Sequence, residues 1–226
     1  AAGEKGLSSA SSNAWFAKIA MDGSTIWEKE YNLGVKDAAK GIRALPDGGF
    51  IAIADTEEGL RLLRLDTHGD TLWTKGFPQT FGMKAKSVEV LPNGGYLIAL
   101  VQNNLPLVAP IAGVLKTGPD GQFVFFNTFQ HLSGYASTDL AKAVRAADTL
   151  YLLAHRDSIY QLDSSGQLRQ ALRLQAPLDL YTTDILPATD GGFWALGTAY
   201  TLATPPQSRL YFGRFTRTGV PIWLRQ

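Results

Sequence analysis

The chain has 226 residues, 45% of them hydrophobic and 18% charged, with a net charge of +1 when the histidines are neutral. That balance gives no electrostatic ground for nucleic-acid binding, and the length suffices for one sizeable core. Cysteine is absent, which removes disulfide scaffolding, thiolate catalysis and cysteine-ligated metal.

No apolar run reaches the roughly 18 to 20 residues a spanning helix needs, so no membrane span is expected. No charged n-region followed by an apolar h-region is present. Ala1-Ala2-Gly3 fits either what signal cleavage leaves or an added leader. Residues 1–12 read as an N-terminal lead or edge strand, with Gly6 to Ala10 as a polar version of a strand seen later. From residue 13 to 226 the chain reads as one repetitive domain.

Five glycines mark the repeat: Gly23, Gly69, Gly121, Gly166 and Gly219, spaced by 46, 52, 45 and 53 residues. Four residues after them stand Trp27, Trp73, Phe125, Gln170 and Trp223. A second turn follows 26 residues after the glycine in three copies: Pro46-Asp47-Gly48-Gly49, Pro92-Asn93-Gly94-Gly95 and Thr189-Asp190-Gly191-Gly192. The third copy has a degenerate turn at Ala147-Asp148-Thr149. The repeats lie near 13–59, 60–110, 111–157 and 158–208, with a partial copy at 209–226. Gly23, Gly69, Gly95, Gly192, Trp27, Trp73 and Trp223 are the structural marks.

Each copy holds four segments of strand length with apolar alternation every second residue. Strand a follows the double glycine, strand b precedes the aspartate-glycine turn, strand c carries the tryptophan, and strand d precedes the next double glycine. Asp-Gly and Gly-Gly pairs supply the positive φ that hairpins need. In chain order the strands fall at 15–21, 25–31, 39–45 and 50–55, then 60–66, 71–77, 85–91 and 96–102. They continue near 111–117, 122–129, 139–147, 158–163, 168–174, 180–186, 193–198, 209–215 and 221–225, with LYLLAH before residue 156 as the third copy's strand a. Residues 139–147, rich in alanine, also suit a helix, but they align with Ser87-Val88-Glu89-Val90-Leu91-Pro92, which favours a strand. The chain stops without a final strand d.

A four-stranded unit of about 45 residues cannot bury both faces alone, and stacking such units is the usual solution. The expected fold is therefore all-β: a β-propeller of four-stranded antiparallel blades, five in number, one incomplete or closed by the termini. A single sandwich or barrel is the competing architecture, and it would not require a 45-residue period. Lys18 to Gly23 with Trp27, Arg64-Leu65-Asp66 with Gly69 and Trp73, and the three double-glycine turns resemble repeats of bacterial β-propellers in the broad PQQ-like and quinoprotein-like group. The resemblance covers most of residues 13–225 and concerns architecture. It implies a periplasmic or secreted bacterial protein. Departures are Gln170, the degenerate turn at Asp148, and a count nearer five than seven or eight.

The b–c and d–a turns fall on one face, where Asp22, Asp47, Asn93, Asp120 and Asp190 read as turn-formers. The a–b and c–d links fall on the other, and they vary in length and chemistry: 32–37, 56–59, 78–83, 103–110, 131–138, 175–181 and 200–208. Variable loops on a rigid repeat are the natural binding surface. Phe81, His131, Tyr135, Tyr181 and Tyr200 there are the candidate partner-binding residues. His68, His131 and His155 lie too far apart in the chain to read as a metal site, no catalytic or nucleotide motif occurs, and no cofactor is expected.

The expected function is a non-catalytic scaffold or inhibitor that binds another protein. The alternative is a glycan-binding or glycan-hydrolysing propeller, with carboxylates such as Asp37, Glu57, Glu58, Asp139 and Asp179 around a central pocket. Trp194, the one tryptophan outside the repeat scheme, would serve that reading if exposed. A further alternative is a fragment of a larger surface protein.

Overall fold

A computed structural model describes residues 1–8, 11–102, 111–130, 141–147, 150–176, 179–200 and 207–225, with backbone alone at 4–8 and 179. These residues form nineteen strands in five separate antiparallel sheets, none closed into a barrel. The first sheet has three strands, β1 (Ala2–Ser8), β2 (Ser11–Ile19) and β3 (Thr25–Tyr31). The second has four: β4 (Ala38–Ala44), β5 (Phe50–Thr56), β6 (Gly59–Leu65) and β7 (Thr71–Phe77). The third is β8 (Lys84–Val90), β9 (Tyr96–Gln102), β10 (Ile111–Thr117) and β11 (Phe123–Gln130). The fourth is β12 (Lys142–Ala147), β13 (Leu150–His155), β14 (Ser158–Asp163) and β15 (Leu168–Arg173). The fifth is β16 (Asp179–Pro187), β17 (Phe193–Tyr200), β18 (Ser208–Phe215) and β19 (Pro221–Arg225).

Strand order follows chain order in every sheet, as hairpin connections dictate. Each four-stranded sheet runs d-a-b-c, so the sheet boundary falls at the c–d link, two strands out of phase with the sequence period. This grouping moves the short sheet. The strands of the partial copy, β18 and β19, complete the fifth sheet with β16 and β17, and among the described residues it is the first sheet that has three strands. β1 also starts earlier than the expected 6–10, with Ala2 opposite Phe16. Lys142–Ala147 is a strand, so the helical alternative there is not adopted.

The chain divides into two compact units, Ala1–Tyr96 with Thr117–Phe123, and Leu97–Lys116 with Val124–Gln226. In the first, Ala14, Phe16 and Tyr31 of the first sheet pack on Ala52, Ala54, Leu63 and Leu65 of the second. In the second, Leu152, Ile159 and Leu172 of the fourth sheet pack on Ile185, Phe193, Ala195 and Tyr211 of the fifth. In the four-stranded sheets strands a and b sit in the middle, and β5 and β9 are buried on both faces, which is why they read as nearly unbroken apolar runs. Strand c lies at a sheet edge, and its residues alternate or are exposed.

The tight turns are built by their own side chains. Asp47 Oδ1 accepts the Gly49 amide at 3.0 Å, Asn93 Oδ1 that of Gly95 at 3.1 Å, and Asp190 Oδ1 that of Gly192 at 3.0 Å. Asp22 accepts from the hydroxyl and amide of Ser24, and Asp120 accepts the Gln122 amide at 3.1 Å. These bonds favour the charged form: the Ser24 hydroxyl holds the Asp22 carboxyl below its usual range, and the amides of Gly49 and Gly192 do the same for Asp47 and Asp190.

Candidate functional site

Two described c–d links, 32–37 and 78–83, are ordered by buried polar anchors, and each anchor decides what its link exposes. Between β7 and β8 a single 310 turn, Pro78–Thr80, is pinned by Thr80, which is fully buried. Its Oγ1 donates to the Phe77 carbonyl at 2.7 Å and accepts the Leu60 amide at 2.8 Å. The Phe81 amide then bonds the Pro78 carbonyl at 3.0 Å, and Met83 folds back into the core. Phe81, between two anchored residues, is left 72% exposed. The a–b turn Glu57-Glu58 abuts it, because a β-carbon on Gly59 would stand 2.9 Å from Thr80 Oγ1 and 3.3 Å from the Phe81 amide nitrogen.

Asp37 does the same for the β3–β4 link. It is fully buried, and Oδ2 accepts the amides of Leu33 at 2.6 Å and Gly34 at 2.9 Å. This carboxylate is a loop former, and Glu58 is paired with Arg61 at 2.8 Å on the surface. Asp139 and the side chain of Asp179 lie outside the described residues, as do His131 and Tyr135.

Asp55 is a buried carboxylate of a different kind. Oδ1 accepts the Ala85 amide at 2.8 Å, whereas Lys40 stands 3.7 Å from Oδ2, beyond hydrogen-bond reach. Burial pushes its carboxyl above the ordinary range, against that amide and the charges of Lys84, Lys40 and Lys86. A raised folded-state value means that the folded chain holds a proton the unfolded chain releases. Stability from this group is therefore highest below the unfolded value of about 3.9 and falls as pH rises through the folded value. Asp55→Asn keeps the bond to Ala85 and removes the charge. Its melting temperature is expected to exceed the parent's at pH 7 and to match it near pH 3, measured by thermal denaturation across that range.

The second unit carries a polar constellation where the β13–β14 hairpin meets the start of β16 and the end of β17. The hairpin closes on two residues, Arg156 and Asp157, with His155 opposite Ser158. Arg156 has φ +56°, the one non-glycine residue in the left-handed region among those described. An L-residue there costs roughly 1–2 kcal/mol, so surrounding contacts must hold it. They do: the Arg156 carbonyl accepts the Thr182 amide at 3.1 Å, and the Asp157 carbonyl that of Leu174 at 2.7 Å. The Asp157 carboxylate is buried and paired with Arg173.

Arg156 also builds an aromatic platform. Nη2 donates to Tyr181 Oη at 2.8 Å, and the guanidinium lies 4.4 Å from the Tyr181 ring centre. Tyr181 and Tyr200 meet edge to face at 4.7 Å. The register explains this: Tyr181 is opposite Thr198, so Tyr200 is its diagonal neighbour. Tyr200 remains 40% exposed. Beneath it, Thr182 Oγ1 and Tyr211 Oη share a 2.7 Å hydrogen bond. Burial raises the phenols of Tyr160 and Tyr211 to about 12, so both stay protonated in any physiological range.

Tyr181 and Tyr200, at the two ends of the β16–β17 hairpin, are thus brought together, while Phe81 belongs to the first unit. Sequence reasoning missed Arg156, since nothing in Leu150 to Asp163 signals a left-handed arginine. Among the described residues, no group of three or more histidine, aspartate or glutamate side chains is placed to hold a metal ion.

No protein-family model and no curated protein matches the chain. Among solved structures it is similar to a protein of unknown function from Bacteroides caccae, at 16% identity and a TM-score of 0.57, over 95% of this chain and 77% of that one. It is also similar to BBS1N, solved in complex with ARL6DN, at 11% identity and a TM-score of 0.50, over 93% and 71% of the two chains. A puromycin hydrolase matches at a TM-score of 0.36 and 18% identity, over 84% of this chain and 29% of that one. The first two likenesses define the class as an all-β fold of several antiparallel sheets. At such identities they carry the fold alone, and neither is a propeller or quinoprotein family assignment.

Proposed function

We propose that the five sheets are blades of a β-propeller and that this protein is a non-catalytic scaffold or inhibitor. It holds another protein on its link-bearing ends, in the envelope or outside a bacterial cell. The observation that carries this reading is the platform of Tyr181 and Tyr200 braced by the strained Arg156. Tyrosine and arginine dominate the energetics of protein interfaces, and strain of this kind persists at sites of function. Tyr200 supplies exposed contact area at low entropic cost, and Arg156 is a positioning residue behind it. Two of the carboxylates weighed for glycan cleavage, Asp37 and Glu58, are committed to backbone amides and to Arg61. The reading is supported by the fold neighbour BBS1N having been solved in complex with ARL6DN.

The test is affinity capture from a bacterial envelope fraction with the parent chain, Tyr200→Ala and Arg156→Gly. Truncating an interface anchor costs about 2 kcal/mol or more, roughly 30-fold in affinity, so the captured partner is expected to be lost with Tyr200→Ala. Arg156→Gly should also lose it while melting no lower than the parent, because glycine relieves the left-handed strain. Undiminished capture by both variants rejects the platform as the site.

A further inference from the structure

Two arginines of the second unit are buried to the same degree and held in different ways. Arg214 is 7% exposed, and its guanidinium is fully engaged: it pairs with Asp190 and donates to the carbonyls of Phe193, at 3.2 Å, and Phe215. Arg64, in the first unit, repeats that set with Asp47, Phe50 and Leu65. Arg156 is 8% exposed and lacks such a set. Its one hydrogen bond among the described residues runs from Nη2 to Tyr181 Oη, and Nε is enclosed without a partner. No described carboxylate pairs with it, and Asp157, the next residue, is turned onto Arg173.

A guanidinium stays charged at any pH a folded protein survives, and a buried charge without a counterion is unfavourable. The Tyr181 ring, 4.4 Å from the guanidinium, offsets part of that cost. It supplies no acceptor for the remaining N–H groups. The left-handed backbone of Arg156 adds strain at the same residue. Two unfavourable features beneath a half-exposed tyrosine pair point to a group that arrives from outside the chain. The donors set its chemistry, because the planar N–H fork matches a carboxylate or a phosphate. With Arg173 already on Asp157, one unpaired cation is present. It balances the single charge of a carboxylate and leaves a phosphate dianion half-compensated.

We infer that Arg156 binds a carboxylate of the protein partner, from an acidic side chain or a chain terminus, with the rest of that segment lying on Tyr200. This rests on the reading of Tyr181 and Tyr200 as the partner's platform. Arg156 then touches the partner directly as well as bracing Tyr181. The incoming carboxylate does for Arg156 what Asp190 does for Arg214.

The probes are blocked tripeptides at constant ionic strength: acetyl-Ala-Glu-Ala-amide, acetyl-Ala-Ala-Ala with a free terminal carboxylate, and acetyl-Ala-Gln-Ala-amide as the neutral control. Each is titrated to about 50 mM, which covers the millimolar affinity expected of a single contact. The signal followed is the Arg156 Nε–H resonance of the isotope-labelled full chain, assigned by its loss in Arg156→Lys. A carboxylate probe is expected to shift it saturably while the glutamine peptide leaves it in place, and the tighter of the two carboxylate probes tells a side chain from a chain terminus. Arg156→Lys, a cation without the planar fork, should weaken that binding at least about tenfold, read from the Tyr200 ring signals. Inorganic phosphate should bind more weakly than the carboxylate probe. No shift with either carboxylate, an equal shift with the glutamine peptide, or tighter binding of phosphate overturns the inference. Capture from the envelope fraction separates it from the platform reading. If Tyr200→Ala loses the partner and Arg156→Lys keeps it, the carboxylate contact falls and the platform stands. If a carboxylate probe binds while Tyr200→Ala captures as well as the parent, the platform falls and the carboxylate site stands.

Discussion

Gly121→Val is expected to lower stability by about 3–4 kcal/mol, and Gly191→Val, at an equally left-handed turn, by about 1–2 kcal/mol. The two positions have φ +76° and +83°, so the backbone penalty is shared. They differ in what lies outside. Around Gly191 there is nothing within 4 Å of the new β-carbon, whereas at Gly121 it meets the Trp73 ring at 2.8 Å and Lys75 Cγ at 2.9 Å. Trp73 is in turn tilted against Tyr96 at 6.5 Å, so it cannot retreat freely. The difference between the variants, read from urea midpoints at constant slope, isolates the packing of the Gly121 turn on Trp73. Equal losses would show that the turn glycines are needed for φ alone.

Phe193→Ala should cost about 3–5 kcal/mol, the range for removing a fully buried phenylalanine. Phe193 is fully buried and stacked on Phe215 at 5.7 Å within the core shared by the fourth and fifth sheets. For a domain stabilised by about 5–15 kcal/mol, that loss brings unfolding close to working temperature. Phe212→Ser, on the opposite face of the same sheet, should shift the midpoint by less than about 1 kcal/mol at sub-micromolar concentration, since its ring is already 47% exposed. A large loss at Phe212 under dilute conditions would mean that the outer face is covered within the single chain.

The strands themselves were legible from residue order. Period-2 alternation places Phe50–Thr56 and Tyr96–Gln102, and the Asp-Gly and Asn-Gly turns lie where the glycines have positive φ. The second glycine of each double turn has another role, close approach: a β-carbon on Gly95 would stand 2.5 Å from the Thr117 carbonyl oxygen. Composition alone could not separate the two roles. Nor could it phase the sheets, because a repeat read along a chain has no marked beginning, and only pairing shows that strand d belongs with the strands that follow it.

Candidate-site reasoning reached Tyr181 and Tyr200 as members of variable links and stopped there. Their meeting depends on the β16–β17 register, with Asp179 opposite Tyr200, and on a left-handed Arg156 that local preference disfavours. What the residue order determined on its own was local, the alternation, turns and spacing that follow from backbone sterics and apolar periodicity. What only the tertiary structure decided was which faces are covered and which side chains converge, since burial and convergence depend on contacts between residues far apart in the chain.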